Sequence, residues 1–441
     1  MSNKTGSSVQ TKIRSAKFKT ENATSDDFQT MITELNIIET LDFPCMRMTI
    51  AINDSTGMIN LMRGNEMVEI VLEDAISNKV YTYNMRIFRL GPRMRYEKND
   101  QYVLECVSNE FMVNEIINLC KSYKDKKASA IVKDLLKDTI STQKKLFIEK
   151  TKDNIKCVAP NWRPFDFINW LGLRAVRDAN ARQAGFLFWE NIKGFHFKSF
   201  DKIIQDGKNQ SKVFKYSYNM KNVGERNKGR DIFTIQSINY PNVFDSLLGV
   251  RNGHWAGAFC GVSLDYTNNS KLNNTGDEIP YSGKTWDIVK VYSKMEHLGN
   301  KKPFLDQDPA IKALLETPRR IRYRPNQLHL WDTTDAESSP PDQGEYEERS
   351  EDTAIYAHCR KVCFEIIKLS IKVPGNLSLN AGEAIDVEIP NPIAKKDKIE
   401  LDKTYSGRYI IAGIRHKYSG GVALITELDL VKDSLGDVVP N

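Results

Sequence analysis

LSLNAGEAIDVEIP (Leu377–Pro390) and SGRYIIAGIRHKYSGGVALITELDLVKD (Ser406–Asp433) decide the fold of this chain. Ala384–Ile389 alternates apolar with acidic positions, as a strand with one wet face does. After a polar loop, Arg408–Tyr418 is a second run rich in Ile and Tyr. Ser419-Gly420-Gly421 tolerates the positive backbone angles of a tight hairpin turn. Val422–Val431 then returns, with Val422, Leu424, Leu428 and Leu430 on one face and Glu427 and Asp429 on the other. Such a meander closes a small antiparallel β-barrel, and no part of it offers a catalytic group.

The chain has 441 residues, 40% hydrophobic and 27% charged, an ordinary soluble composition. At about 150 residues per domain, three or so units are expected. No apolar run approaches the roughly 18 residues of a membrane helix. The N-terminus is polar and basic without an apolar core, so it is no secretory signal and reads as a mobile arm over 1–24. Seven cysteines (Cys45, Cys106, Cys120, Cys157, Cys260, Cys359, Cys363) are odd in number and scattered. That pattern suits reduced, mostly buried thiols in a protein folded in cytoplasm. The net charge of +6 permits an acidic partner without demanding one. It is unevenly spread: eleven Lys face five acids between Ile116 and Pro160, and nine acids face the single Arg349 between Asp332 and Asp352. Opposed fields of this kind suit docking between subunits at least as well as nucleic-acid binding.

Outward from the opening stretch, the pattern predicts an α+β, mainly β fold. Runs such as MITELNIIE, CMRMTIAI, NEMVEIVLED and QYVLECVSNE make 25–112 a first β-barrel. Helical spacing follows at Ser108–Leu119 and Ala128–Thr139. A longer helix is expected over Phe165–Ala184, opened by Arg163-Pro164 and stopped by Gly185. The strands Phe186–Glu190 and Phe195–Ser199 complete an α+β domain over 113–228. A second barrel draws on 229–267, including DIFTIQSINY and the strand candidate Gly257–Tyr266, and on 353–435. Between them 268–352 reads as an inserted arm with one short helix near Pro309–Leu315. A final helix, Thr353–Leu369, leads into the terminal strands.

No catalytic, cofactor-binding or metal site is read from these residues. His358, Cys359 and Cys363 lie close together, but a zinc site needs four ligands and no second Cys/His pair appears, so the thiols are read as core. Phe186–Glu190 with Phe195-His196-Phe197 could form an aromatic platform, yet alternating aromatics are what a half-buried strand uses. Pro318–Pro325 (PRRIRYRP) is the densest basic cluster. It could touch phosphate, but its proline borders and the acidic stretch beyond favour a protein neighbour. Arg251–His254 follows a polar loop near Asp245 without a Gly-x-Ser-x-Gly elbow, and phosphate-loop and dinucleotide motifs are absent.

In their order and spacing, four segments resemble the central baseplate hub proteins of T-even-like contractile-tailed bacteriophages, within the phage tail hub and VgrG-like superfamily. They are IIETLDFPCMRMTIAINDSTGMINLMRGNEMVEIVLED, NWRPFDFINWLGLRAVRDANARQAGFLFWENIKGFHFKSFD, IQSINYPNVFDSLLGVRNGHWAGAFCGVSLDY and LNAGEAIDVEIP with GRYIIAGIRHKY and ALITELDLV. The resemblance implies a non-enzymatic homotrimer without cofactors. Two similar tube-type barrels per subunit would give six pseudo-equivalent barrels joining a sixfold tail tube to a threefold cell-puncturing spike. Implied partners are the spike, tail tube or tube-initiator proteins, baseplate wedge proteins and the tape measure protein. No membrane is implied, and DNA only passes through the lumen during genome ejection. The implied location is the virion tail baseplate, assembled in the host cytoplasm. The long charged arm departs from the pattern. Two other functions remain open: a tail-associated cell-wall hydrolase with its site in Ile116–Ser211, and the hub of a phage-like secretion or injection machine. The lysines of Ile116–Pro160 are expected away from any DNA channel, because tight phosphate contacts would stall transit.

Overall fold

The computed structural model describes residues 11–19, 27–74, 76–152, 154–218, 231–241, 246–263, 281–304, 309–315, 320–326, 331–332, 343–391, 400–420 and 424–436. The N-terminal part is all strand: β1 (Lys12–Lys19), β2 (Ile32–Thr40), β3 (Arg47–Asp54), β4 (Met67–Glu73), β5 (Val80–Arg95) and β6 (Asp100–Ser108). A mixed part follows, with α1 (Asn109–Ile116), β7 (Leu119–Lys127), α2 (Ala128–Asp134), β8 (Leu146–Ile148), β9 (Asn154–Trp162), α3 (Pro164–Gly172), β10 (Phe186–Asn191), β11 (Gly194–Ser199), α4 (Phe200–Lys208) and β12 (Phe214–Ser217). Then come β13 (Ser237–Asn239), α5 (Ser246–Arg251), β14 (Ala256–Ser263), β15 (Tyr281–Asp287), α6 (Ile288–Tyr292), α7 (Pro309–Leu315), β16 (Ile321–Asn326), β17 (Trp331–Asp332) and α8 (Gln343–Phe364). The chain closes with β18 (Ile367–Pro374), β19 (Ala384–Glu388), β20 (Gly407–Ser419) and β21 (Ile425–Lys432).

The fold is mainly β, built on one large curled sheet of twelve strands. Its order is β1-β4-β5-β6-β3-β2-β20-β21-β18-β13, with β19 on β20 and β12 on β19. The seam between the N-terminal and C-terminal strands is the antiparallel pair β2–β20, from Glu34↔Ser419 to Thr40↔Gly413. Period-two burial decides each face. β4 buries Val68, Ile70 and Leu72, and β21 buries Leu428 and Leu430 while Asp429 faces water. Two separate cores result. One gathers Met48, Ile50, Ile70, Met85 and Leu104 from β3 to β6; the other gathers Leu369, Ile371, Tyr409, Ile411 and Leu428 with Ile203 and Ile204 of α4. Each such side chain contributes about 1.5–3 kcal/mol on burial. A third core packs α2 and α3 against β7 to β11.

Several expectations change. Lys12–Lys19, placed in a mobile arm, is a strand paired with β4, because Ala16 and Phe18 reach the first core; 1–10 and 20–26 lie outside the described residues. The helix expected over Phe165–Ala184 ends at Gly172, where an added Cβ would sit 2.9 Å from Phe186 O, so the helix terminus lies tightly on β10. Val176 and Ala184 then form a bridge, and Gly185 has φ +91°. β12, expected in the mixed domain, pairs in parallel with β19 of the large sheet. β14, expected in the second barrel, lies between β15 and β16 in a separate three-stranded sheet. The inserted arm is therefore partly ordered structure: Trp286, Ile288, Tyr292, Met295 and Phe304 form a fourth core with Ile355, Cys359 and Cys363 of α8. The expected helix Thr353–Leu369 stops at Phe364, since β18 begins at Ile367. Gly421, Val422 and 264–280 lie outside the described residues, so the predicted turn and the end of Gly257–Tyr266 do too.

Candidate functional site

The aromatic hairpin is core on both faces. Phe186, Phe188, Phe195 and Phe197 pack with Phe165 and Phe167 of α3. On the reverse face His196 stacks between Phe147 at 4.6 Å and Trp189 at 4.8 Å between ring centroids. His196 Nε2 lies 3.0 Å from Asn191 Oδ1, and burial pushes its pKa down to about 3. A neutral ring held in this way packs and does not exchange protons near pH 7.

Beside the hairpin lies a charged cluster that sequence reading missed. Lys144 Nζ bridges Glu110, at 2.7 Å, and the fully buried Glu190. Glu190 also accepts from Met46 N at 3.1 Å, tying β10 to the first core. Nearby, Glu39 of β2 accepts from Ile192 N at 3.0 Å and Ala381 N at 3.2 Å. Burial pushes the Glu39 carboxyl up to about 8, against the pull of those two N–H groups. Arg177 similarly pairs with Glu149, and Arg360 with Asp201 and Asp433. These pairings join residues dozens to hundreds of positions apart, so no local spacing announces them.

Cys359 and Cys363 are fully buried on α8, and burial raises both thiols, Cys363 to about 12. Among the described residues no group of three or more His, Cys, Asp and Glu is placed to hold a metal ion, and no helix is long and apolar enough to cross a membrane. Three stretches singled out in the sequence do meet. Arg322 of the basic cluster donates through Nη2 to Asn252 O at 3.2 Å, and an added Cβ on Gly253 would sit 2.8 Å from Arg320 Cβ. His358 of α8 packs edge-on to Trp286, 5.3 Å between centroids, on the sheet that carries Arg322. Asp245, Pro318 and Arg319 lie outside the described residues.

The lysines of the basic stretch are divided. Lys121, Lys124, Lys126 and Lys127 stand exposed along β7, in the small sheet β17-β9-β7 and away from the twelve-stranded one, whereas Lys144 is the cluster cation above. On the large sheet, a groove of about 350 Å³ runs over the seam, bordered by Ile38, Ser370, Lys372, Arg415, Glu427 and Asp429. Its charges are satisfied crosswise: Lys372 with Glu427 at 2.8 Å, Ser370 with Asp429 at 2.6 Å, Arg415 with Asn36 at 3.0 Å. The charged side chains that border the groove are thus held by neighbours within it.

The whole-chain geometry has counterparts among solved structures. The tail protein from Neisseria meningitidis MC58 matches at TM-score 0.53 with 10% identity, over 95% of this chain and 96% of that one. This chain has the fold of phage tail proteins. The 43 kDa tail protein of prophage MuSo2 from Shewanella oneidensis matches equally, at TM-score 0.53 and 8% identity, over 96% of this chain and 99% of that one. No protein-family model matches the sequence, and no curated protein does either. The tail-protein fold agrees with the baseplate-hub resemblance carried by the four segments.

Proposed function

We propose that this chain is the structural hub of a phage tail baseplate, a homotrimer that joins a sixfold tail tube to a threefold spike and leaves a channel for the genome. Two cores along one continuous sheet support the reading, in which each core with its strands would be one of two similar tube-type barrels per subunit. Three subunits then present six such units in a ring, and ring closure covers the sheet edges that a lone subunit exposes. The partners are the spike, tube or tube-initiator, wedge and tape measure proteins, and the location is the virion tail. The separation of Lys-rich β7 from the large sheet supports a channel wall without dense positive charge.

The chemistry supports a non-enzymatic role. A hydrolase in the mixed part would need two carboxylates free to shuttle protons. Glu110, Glu149 and Glu190 are each bound to a buried or half-buried cation instead. Light scattering of the purified protein tests the reading: the mass should be that of three 50.4 kDa chains. Electron microscopy of the trimer should show six superimposable barrels around one channel. A stable monomer, or half-sheets that do not superpose, would refute it, and release of peptidoglycan fragments would restore the hydrolase.

A further inference from the structure

Phe259, Lys284, Trp286 and Arg322 share one face of the sheet β15-β14-β16, because Gly257 pairs with Trp286 while Phe259 pairs with both Lys284 and Arg322. α8 covers that face. Its Ile355, Cys359 and Cys363 share a core with Phe259 and Trp286, and its Asp352 takes Lys284 Nζ at 3.2 Å. His358 enters the same layer against Trp286.

Three polar atoms here are sealed from water and have no hydrogen-bond partner: Trp286 Nε1, Arg322 Nε and His358 Nε2. Buried polar groups are almost always paired, and leaving one unpaired costs about 1–3 kcal/mol. Two of these atoms can only donate, and the third donates once its ring is charged. The nearby carboxylates are committed elsewhere, Asp352 to Lys284 and Asp287 to Val289 N at 2.8 Å as the cap of α6. The layer therefore offers these three atoms no free side-chain acceptor, although the backbone at Asn252 and Gly253 reaches Arg322 Nη2 and the His358 ring. Among the described residues β16 pairs only with β14, and Arg322 itself is half-buried, so a rotation of its side chain opens a way in.

We propose that Trp286, Arg322 and His358 form a site for one oxyanion, a carboxylate or phosphate group, entering between β16 and α8. The guanidinium supplies fixed charge and a planar donor, the indole a second donor. Burial, then Arg322, keep the imidazole neutral, with its pKa pushed down to about 4 against the pull of a backbone hydrogen bond at Gly253; His254 and Lys361 add to the lowering. An anion between Arg322 and His358 reverses that balance, so binding draws a proton onto His358 and strengthens as pH falls.

Calorimetric titration of the full chain with sodium phosphate and with sodium acetate, each against chloride at equal ionic strength, tests the site. One saturable site is expected, tighter at pH 5.5 than at pH 7.5. Arg322→Gln should weaken it about tenfold or more, a loss of about 1.4 kcal/mol. Trp286→Phe, which keeps the ring and loses only the N–H, should weaken it at least threefold and stands in if Arg322→Gln does not fold. His358→Gln should flatten the pH dependence. Binding of acetate alone points to a protein carboxylate, of phosphate alone to free phosphate, and either outcome supports the site. Absence of saturable binding to both anions in the parent, or unchanged binding in Trp286→Phe and Arg322→Gln together, would overturn it and leave water as the missing partner.

Discussion

Replacing Arg360 with Met is the sharpest test of how the C-terminal strands are held to the mixed part. Arg360 is fully buried in α8. Its Nη1 donates to Asp433 Oδ2 at 2.9 Å and its Nη2 to Glu296 O at 2.8 Å. Nε approaches Asp201 Oδ1 to 3.1 Å, an ion-pair distance without hydrogen-bond alignment, so the Asp433 contact is the stronger. Removing the cation leaves two fully buried carboxylates with only hydrogen-bonding partners such as Tyr356 Oη and Leu298 N. Breaking a buried pair in this way costs about 3–5 kcal/mol. Hydrogen exchange measured by mass spectrometry reads that cost directly, as α8 amides exchanging about two to three and a half orders of magnitude faster.

The pH dependence carries the sign. Burial would raise the Asp433 carboxyl, but the His297 hydrogen bond and the Arg360 charge outweigh it and hold the group well below the usual range. A depressed folded pKa gives stability above the unfolded value of about 3.9, lost as pH falls through the folded one. In Arg360→Met the share of that depression owed to Arg360 is lost while the His297 hydrogen bond remains, so Asp433 takes up its proton at higher pH than in the parent. The gap between parent and variant should therefore narrow as pH falls into the carboxylate range, and Asp433→Asn added to the variant should restore much of the loss. A gap under about 1 kcal/mol at pH 7, or one that widens on acidification, would refute the reasoning.

Three further outcomes are expected. Gly194→Ala should cost about 2–4 kcal/mol in denaturant melts, since its φ is +139° and an added Cβ would sit 2.1 Å from Lys145 O. Glu39 has a folded pKa pushed up to about 8, so its contribution to stability falls as pH rises from about 4.3 to 8; melting temperatures over that window should lose this slope in Glu39→Gln. Cys120 alone is exposed among the seven cysteines, so one thiol per chain should react quickly with Ellman's reagent and Cys120→Ser should abolish the fast phase.

The strands were legible wherever one face is wet. In Ala384–Glu388 and Ile425–Lys432 the alternation of apolar and acidic residues names the buried face without any tertiary knowledge. The same signal is silent about partners. GAFCGVS reads as a strand whichever sheet receives it, and only the pairing of Phe259 with Lys284 and Arg322 removes it from the second barrel. The arm misled for a different reason. Its Asn, Asp and Pro content outweighed the short apolar run Trp286–Tyr292, which a narrower reading would have marked as a buried turn of helix behind a strand. The candidate oxyanion site was visible only in fragments, as a basic run, a His-Cys pair and a loop, because their convergence depends on α8 crossing a sheet that no spacing foretells.

The seam joins the two cores, and its register fixes how one sits against the other. β2 and β20 join the two cores through a register in which Ile38 faces Arg415 and Thr40 faces Gly413. A slip of one residue there would turn every side chain of β2 to the wrong face. The carboxylates add a second lock. Glu39 on β2 holds the backbone at Ile192 in the hairpin and at Ala381 ahead of β19, while Glu190 on β10 holds Met46 ahead of β3. A slip of β2 would strip Glu39 of both its partners in a buried setting, at a cost of about 1–3 kcal/mol or more. The polar groups that look least useful for stability are thus the ones that fix a single register.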